Sequence, residues 1–472
     1  MDIVRRRLHV VRAIAAAPSL PAIVFLCLYL TLLLVVPAQL IFRPLGAPGT
    51  PANLLGMGGL LWWSSVKVGG WMRHRGSPVG ALLGISALSV LTSYALANAA
   101  GWWAPSNMRQ RTDDVWTLAF PNVDLVHASM TTAVDRGLLS YAAWLGIAVL
   151  ALDGVRGWRD IQRMLRWLVW LATLFAAVGI IQFYTGTNLA SFIRIPGLVP
   201  NSEVGASLTR SVLNRVSSTS THPIEFGVML ATIFPLALHT AIFRSRRWEL
   251  MPAVVIGFAV PLAVSRSGML SLAIGLIVMF VWWPPARRRR ALLITPVAVV
   301  LMRLAVPGLV GTIYSLFRGV AVDPSVTGRT SDYGVVLSLF AHHPWFGRGL
   351  FSFVPRYYRI LDNQLLMILL ELGLVGLVVV LSMFITAFFS GLGARRRAAD
   401  PENQHAALAV TAALAGIFVS YLTFDAWGYA QVSGMSFLLV GLCGAVLKHA
   451  RLDQEAEAVV RAADTRNVEA RP

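Results

Sequence analysis

The chain has 472 residues, of which 56% are hydrophobic and only 13% are charged, and its mean hydropathy is +0.67. This composition excludes an ordinary soluble globular protein and is typical of a polytopic membrane protein. The formal net charge of +18 would suggest nucleic-acid binding in a soluble protein. Here most of the excess charge lies in short connectors between apolar segments, so we expect no nucleic-acid partner.

Twelve segments are apolar enough over about 20 residues to cross a bilayer as helices. We predict spanning helices over 20–41, 53–70, 79–100, 133–152, 162–184, 224–243, 249–265, 267–283, 291–307, 362–390, 406–424 and 429–448. The predicted fold is therefore all-α, a single polytopic membrane domain over residues 1–472. The first segment is too long for the apolar core of a signal peptide, so we expect it to be retained.

Basic clusters occupy alternate connectors and predict the orientation of the protein. Cytoplasmic connectors carry an excess of Lys and Arg, and this rule assigns to the cytoplasm Arg5–Arg7, Arg73 and Arg75, Arg156 and Arg159, Arg244, Arg246 and Arg247, Arg287–Arg290, Arg395–Arg397, and Lys448 with Arg451. Alternation of the twelve spans then puts both termini inside. We expect a multi-pass protein of the cytoplasmic (inner) membrane, surrounded by membrane lipids.

The connectors assigned to the outside are longer than the basic ones. They cover 101–132, 185–223 and 308–361, and the last is a large external loop with short helices between the ninth and tenth spans. The tail, 452–472, is charged and alanine-rich, and we expect it to be a short cytoplasmic helix that frays into disorder. Since no comparable cytoplasmic domain exists, we expect the chemistry on the outer face.

Two arginines stand where a charge is costly unless it is paired or faces water. Arg266 lies in a turn of almost no length, Ser265-Arg266-Ser267-Gly268, between two spans. Arg215 opens a polar run that ends at His222-Pro223 before the sixth span, with Glu225 just inside that helix. A guanidinium is a planar fork of donors that matches phosphate oxygens. Both positions therefore suggest a phosphorylated ligand at the outer membrane boundary.

The large external loop adds further polar candidates. Arg329, His342, His343 and Arg348 precede Asp362 and Asn363, which stand at the start of the tenth span, and Glu371 follows about 13 Å deeper at helical rise. Asn363 and Asp362 are also suited to cap that helix. Adjacent histidines point in different directions on a helix, and no carboxylate stands at ligand spacing, so no metal site is predicted. The two cysteines, Cys27 and Cys443, lie in apolar segments at opposite ends of the chain and predict no disulfide.

Four motifs follow one another between about 215 and 376. They are the arginine-containing run ending in His222-Pro223, the Ser265-Arg266-Ser267-Gly268 turn, Gly328-Arg329 with His343-Pro344-Trp345-Phe346-Gly347-Arg348-Gly349, and Asp362-Asn363-Gln364-Leu365 leading into Glu371-Leu-Gly373-Leu-Val-Gly376. In this order and sidedness the set resembles the O-antigen ligase and polymerase superfamily of bacterial envelope enzymes.

The resemblance implies a glycosyltransferase that is independent of metals and cofactors. Members take a glycan from a polyprenyl diphosphate carrier, such as undecaprenyl diphosphate, and pass it to a hydroxyl of a lipid, another glycan or a protein. In this chain Arg215 and Arg266 would hold the diphosphate as it leaves, and a base would take the proton of the acceptor hydroxyl. The other polar residues of the motifs are expected to bind substrate: Arg329, Arg348, His222, His343, Asn363 and Glu371.

The candidate base departs from the family pattern. Family members commonly carry His immediately before the Asn that opens the span after the large loop, and this chain has Asp362 there. A carboxylate can act as a base or orient the acceptor, but it is a weaker base than imidazole. Asp362 is therefore one candidate, and His222, His342 and His343 are the others.

Other functions are compatible with twelve spans. A transporter or flippase of envelope glycolipids would need ionisable residues near mid-membrane and broken helices, which the sequence does not clearly offer. A scaffold or sensor would tolerate changes at Arg215 and Arg266. Ligase and polymerase differ in their acceptor, which the sequence leaves open.

Overall fold

The structure is a computed structural model that describes residues 21–69, 76–100, 123–201, 215–243, 246–318, 332–334, 336–355, 358 and 360–469. Its α-helices are α1 Ala22–Val35, α2 Pro51–Val68, α3 Pro78–Ala100, α4 Val123–Gly154, α5 Trp158–Thr185, α6 Pro223–Ile242, α7 Met251–Leu262, α8 Arg266–Trp282, α9 Pro285–Ala305, α10 Leu309–Arg318, α11 Gln364–Arg397, α12 Pro401–Ser420 and α13 Ala430–Glu469. Residues 332–334 and 336–340 are also helical.

The all-α polytopic membrane fold predicted from the sequence is confirmed. Every predicted spanning segment overlaps one of these helices, and among the described residues seven helices are long and apolar enough to cross a membrane. They are α3, α4, α5, α6, α11, α12 and the first part of α13. The apolar helices α1 and α8 are shorter, with 14 and 17 residues. The count of twelve spans stays a prediction.

Local sequence signals explain where several helices begin and end. Thr50 and Asp400 cap α2 and α12, since their side-chain oxygens accept the amides of Asn53 (3.3 Å) and Glu402 (3.1 Å). A proline follows each cap at the first helical position, where its missing N–H has no cost. Gly186 stops α5 in a left-handed conformation with φ +71°.

Two features concern segments outside the predicted spans, a short sheet between two connectors and a helix in the tail. A two-stranded antiparallel sheet, β1 Leu40–Ile41 with β2 Val199–Pro200, joins the first short connector to the loop after α5. The helix expected in the tail is the continuation of α13, which extends to Glu469, and the expected fraying stays a prediction. From Leu452 to Glu469 the chain contains no Gly or Pro and is rich in Ala, Glu and Arg, which favour helix.

The core is centred on α6, α12 and α13. In the membrane-crossing window of α13, 94% of the residues are buried inside the protein. By contrast, α9 buries none of its residues and lies at the periphery. Small residues allow the closest helix pairs to approach, as at Gly227 and Gly268, where an added Cβ on Gly268 would lie 3.0 Å from the backbone of Gly227.

Within the described residues, connectors that carry basic clusters meet at one end of the bundle, which we term the basic end. The guanidinium of Arg395, at the end of α11, donates to the carbonyl of Trp282 (2.9 Å), at the end of α8. At the start of α5, the indole of Trp158 donates to Asp453 (2.8 Å), in the extension of α13. The positive-inside rule requires basic connectors to lie on one side of the membrane, and these contacts place them at one end of the bundle.

A chain of hydrogen bonds between buried side chains joins α5, α6 and α12 near the basic end. The indole of Trp283 can only donate, and it donates to Nε2 of His405 (2.9 Å). The proton of His405 is therefore on Nδ1, which lies 3.0 Å from Nδ1 of His239. His239 in turn donates from Nε2 to Oε1 of Gln162 (3.0 Å), whose amide nitrogen lies 3.5 Å from Oδ1 of Asn403. All these bonds run in one direction, which fixes both imidazoles as neutral tautomers.

Candidate active site

Helices α6, α8, α11 and α13 each begin at the end of the bundle opposite the basic end, and we term it the Asp362 end. The amide of Gln431, in the first turn of α13, donates to the carboxylate of Glu225, in the first turn of α6 (2.9 Å). The first turn of α8 packs on α6 through Gly268 and Gly227. At α11, the amide of Gln364 donates to the carbonyl of Tyr421 (2.8 Å). Helix N-termini carry partial positive charge, so their convergence favours an anion.

Arg215 begins a polar run, residues 215–222, that is held inside this end of the bundle. Arg215 itself is only 8% exposed. Oε1 of Gln182 accepts the amides of Ser217 and Ser218 at 3.1 and 2.8 Å, and Oγ1 of Thr219 donates to the carbonyl of Leu34 at 2.6 Å. The hydroxyl groups of the run are thus used to pin it between α1, α5 and α13. The guanidinium is the charged group that this scaffold positions.

The polar run leads into α6 through His222. Nδ1 of His222 caps the helix by accepting the amide of Ile224 (3.2 Å), so a neutral His222 carries its proton on Nε2. Its ring lies 6.2 Å from that of Tyr429. Glu225 is fully buried, and its carboxylate accepts the amides of Thr221 (2.8 Å) and Gln431 (2.9 Å). Glu225 therefore ties α6 to α13, whereas His222 faces the group of residues around Tyr429.

Arg266 is the first residue of α8 and is half-buried. Ser265 caps the helix, because its hydroxyl accepts the amide of Gly268 (3.3 Å). The preceding residue, Val264, has a positive φ of 45°, which is unusual for a β-branched residue. The chain thus turns sharply between α7 and α8, and the close contact of Gly268 with Gly227 holds Arg266 beside the start of α6.

Asp362 and Asn363 precede α11, and both are half-buried. Asn363 is the cap, since its Oδ1 accepts the amides of Leu365 (3.0 Å) and Leu366 (3.2 Å). Capping therefore occupies Asn363, and the carboxylate of Asp362 is not what caps the helix.

Asp425 is a residue of this site that we did not predict. It lies in the short turn between α12 and α13, and this turn is joined to α11 where the amide of Trp427 donates to Oε1 of Gln364 (2.6 Å). Burial raises the pKa of Asp425 to about 6, the amide of Gly428 opposes this shift, and the nearby charge of Asp362 adds to it. The two carboxylates therefore interact. Like Arg266, Asp425 is a charge in a turn of almost no length, so the sequence does carry a signal for it.

Several charged residues of the site act on the phenol of Tyr429. Burial raises the pKa of its phenol above the ordinary value, and the negative charges of Glu225, Asp425 and Asp362 raise it further. The positive charge of Arg215 acts in the opposite direction. One arginine and three acids, which are far apart in the sequence, thus lie within electrostatic range of a single ring.

The loop of residues 343–349 lies against an interruption of α11. Gly373 has φ +69° and ψ −169°, which is not helical, so the amides after it lose their helical acceptors. The carbonyls of Pro344 and Trp345 accept the amides of Leu374 (2.8 Å) and Val375 (3.1 Å) instead. The loop thereby supplies acceptors for the backbone amides at the interruption. The sequence did not predict this interruption.

Arg348 and Glu371 belong to the same junction. Arg348 donates to the hydroxyl of Tyr358 (2.6 Å) and stacks over its ring, and it is 8% exposed. Glu371 is 1% exposed; its carboxylate accepts the amide of Phe353 (3.2 Å), and its carbonyl accepts that of Arg348 (3.0 Å). These contacts favour a structural role, and the substrate-binding role of either residue stays a prediction.

The remaining candidates are less informative. His342 is exposed, and His343 is half-buried with its carbonyl bonded to the amide of Gly347 (3.2 Å). Arg329 lies outside the described residues. Among the residues that the structure does describe, no three His, Cys, Asp or Glu side chains form a group suited to a metal ion.

The fold and the site define a class of protein, an integral membrane protein whose helices gather arginine and carboxylates at one end. Residues 251–381 match the family model described as O-antigen ligase. This match supports membership of the chain in the O-antigen ligase and polymerase superfamily, as its motifs indicated. The matched stretch includes Arg266, Arg348, Asp362 and Glu371. No curated protein matches the chain.

Proposed function

We propose that this protein is an O-antigen ligase-like glycosyltransferase. It moves a glycan from a polyprenyl diphosphate carrier to an acceptor hydroxyl at the outer face of the cytoplasmic membrane. The observation that carries this proposal is the meeting of a buried arginine, Arg215, with the carboxylates of Asp362 and Asp425 around Tyr429. The arginine would bind the diphosphate, and a carboxylate would take the proton of the attacking hydroxyl.

Arg215 and Arg266 are proposed to bind the diphosphate together with the N-termini of α6 and α8. In the reaction, the acceptor oxygen forms a bond to the anomeric carbon while the bond from that carbon to the diphosphate oxygen breaks. The diphosphate leaves with the electron pair of that bond. Fixed guanidinium groups and helix amides stabilise this developing charge more than they stabilise the bound donor, and this difference lowers the barrier.

Asp362 is proposed to accept the proton of the attacking hydroxyl. An isolated aspartate is a poor base, but a second carboxylate changes this, because like charges in a low-dielectric site favour a shared proton. Asp425 supplies the second carboxylate in our proposal. His222, whose ring lies 6.2 Å from that of Tyr429, is the first alternative base, and His342 and His343 are the others.

The main competing function is a flippase of lipid-linked glycans. The interruption of α11 at Gly373 would suit a transport path if it lined a cavity. However, the carbonyls of Pro344 and Trp345 fill it. This favours a rigid site over a moving one.

Arg266→Ala tests the function in cells. We expect the glycan-modified product to fall by about two orders of magnitude or more, the typical effect of losing one transition-state donor. The lipid-linked donor should accumulate. Arg303→Ala is the matched control, because Arg303 is an exposed arginine of the peripheral helix α9.

The location of the accumulated donor separates the two functions. If the protein is a transferase, the donor collects at the outer face and reacts in spheroplasts with a membrane-impermeant reagent for sugars. If it is a flippase, the donor stays protected inside. A normal product profile for Arg266→Ala at normal protein level contradicts the proposal.

A further inference from the structure

The segment 189–200, which follows α5, has an unusual composition for a loop. Its sequence is Leu-Ala-Ser-Phe-Ile-Arg-Ile-Pro-Gly-Leu-Val-Pro, with one basic residue, Arg194, and no acidic residue. Loops in contact with water are normally polar. Here Phe192 is 70% exposed, and Leu189, Ile193 and Val199 are each more than a third exposed.

The length of α5 sets the level of this segment in the membrane. The last basic residue near the start of α5 is Arg166, and from Trp167 to Thr185 no residue is charged. These 19 residues span about 27 Å at 1.5 Å per residue, close to the ~30 Å of a bilayer's hydrocarbon core. Thr185 therefore lies at the edge of the hydrocarbon, and the segment begins only four residues later. It lies at the membrane interface and not in bulk water.

Both ends of the segment are fixed to the bundle. At the first end, the side chain of Asn188 accepts the amide of Ala190 (3.0 Å) and donates to the carbonyl of Ser218 (3.1 Å). At the other end, β2 pairs with β1, and the amide of Asn201 donates to the carbonyl of Gln39 (2.8 Å). A fixed frame with an exposed apolar middle cannot collapse onto the protein, so its apolar surface needs an external partner.

Charge identifies that partner. Arg194 directly follows the exposed Phe192-Ile193 pair, and Arg43 directly follows Phe42, which is 43% exposed and adjoins β1. An apolar side chain followed by an arginine is the pattern that sinks into acyl chains while its charge stays among the phosphates. Phospholipid carries both complementary features, acyl chains for the apolar side chains and a phosphate for the arginine.

We propose that residues 189–200 form an interfacial wedge, which inserts Phe192 and Ile193 into the lipid leaflet at the Asp362 end. Arg194 binds phospholipid phosphate at the headgroup level. Through Asn188 the wedge also holds the polar run that carries Arg215 and His222, so the leaflet and the candidate site share one rigid support. The membrane contact follows from the loop itself and does not depend on the proposed glycan transfer.

Spin-label depth measurements test the wedge. A nitroxide is attached at Phe192→Cys in the full chain, with Cys27 and Cys443 replaced by alanine, and the purified protein is placed in phospholipid nanodiscs. We expect the label to lie about 5–10 Å below the phosphates and to collide with oxygen in preference to a water-soluble nickel complex. The references are Leu174→Cys, on the exposed face within α5, and Ala399→Cys, in the exposed turn between α11 and α12.

A second measurement covers the case in which the cysteine-free chain does not fold. A benzophenone amino acid at position 192, in the otherwise unchanged protein, should form covalent adducts with phospholipid on illumination, whereas one at position 399 should not. A label at position 192 that is as accessible to nickel as the one at 399, or no lipid adducts at 192, overturns the wedge. Neither readout involves transfer, so its failure is separate from failure of the proposed function.

Discussion

Asp425 is a carboxylate near Tyr429 whose ionisation is altered by its surroundings. Asp425 and Asp362 come from turns that are some sixty residues apart, and the charge of Asp362 acts on Asp425. Burial and this repulsion together raise the pKa of Asp425 to about 6. A carboxylate pair in this range can hold and release a proton near neutral pH, which a solvated aspartate cannot do.

The pH dependence of transfer follows from this shift. The reactive form needs the ionised pair, so we expect the rate to fall as the pH drops through about 6. Asp425→Asn should abolish this inflection, and Asp362→Asn should move the titration of Asp425 to lower pH by removing its neighbouring charge. The measurement is kcat/KM against pH for the purified protein in nanodiscs. An unchanged profile in both variants would show that the pair is not the base.

The free energy of unfolding should also depend on the ionisation of Asp425. It should fall with rising pH, whereas the transfer rate should rise. The folded-state pKa of Asp425 lies above its ordinary value of 3.8, so the folded protein disfavours the ionised form. The cost is absent below about pH 4, grows as the pH rises through about 6, and is then constant. Asp425→Asn removes it, so the variant should match the parent protein in Tm at pH 4 and exceed it at pH 8. A loss of Tm at pH 8 would argue against this assignment.

Arg215 and Arg266 could be predicted as candidates because a charge at a membrane boundary is costly and therefore needs a reason. Asp425 carries the same signal and was not predicted. The contacts of Glu371 could not be predicted, because the amides around its carboxylate come from other segments of the chain. Hydrogen bonds such as that from Phe353 to Glu371 cannot be inferred from spacing along the chain.

At the level of elements, the interruption of α11 is the feature that the periodicity of the sequence could not indicate. Apart from Glu371, residues 365–381 are apolar without a break, so this segment predicts one continuous helix. The interruption depends on Gly373 and on a loop from elsewhere in the chain, which supplies the carbonyls of Pro344 and Trp345. Helix positions, by contrast, were predictable, because length and hydropathy determine them almost alone.

Gly373→Ala tests the interruption. Its backbone conformation is essentially restricted to glycine, and an added Cβ would meet the backbone of Trp345 and Gly347. We expect a loss of about 1–3 kcal/mol or more, seen as a lower Tm in detergent. The control is Gly58→Ala in α2, where an added Cβ has no neighbour within 4 Å. That change should be neutral or should stabilise the helix by up to ~1 kcal/mol. Equal stability of the two variants would contradict the break in α11.

At the scale of the whole molecule, the basic clusters and the candidate site lie at opposite ends of the bundle. The basic clusters that the structure describes meet at the basic end, whereas the acids and arginines of the candidate site lie at the Asp362 end. The positive-inside rule then assigns the basic end to the cytoplasm. This assignment was available from the sequence, because alternation and charge agree. Which loops touch one another was not, since that depends on packing.

Cysteine labelling tests the orientation. In a background without Cys27 and Cys443, we expect Arg194→Cys to react with a membrane-impermeant maleimide in spheroplasts. Ala399→Cys should react only after the membrane is permeabilised. Both positions are exposed, so access to the reagent depends on the side of the membrane alone. The reverse pattern would put the candidate site on the cytoplasmic side and exclude an outer-face transferase.

The hydrogen-bond chain from Trp283 through His405 and His239 to Gln162 has a consequence for the cell's proton gradient. Histidines stacked inside a membrane bundle are the usual parts of a proton wire. Here an indole closes one end and carboxamides close the other, and neither group releases or takes up protons at physiological pH. We therefore expect the two buried imidazoles near the basic end to add no proton leak across the membrane.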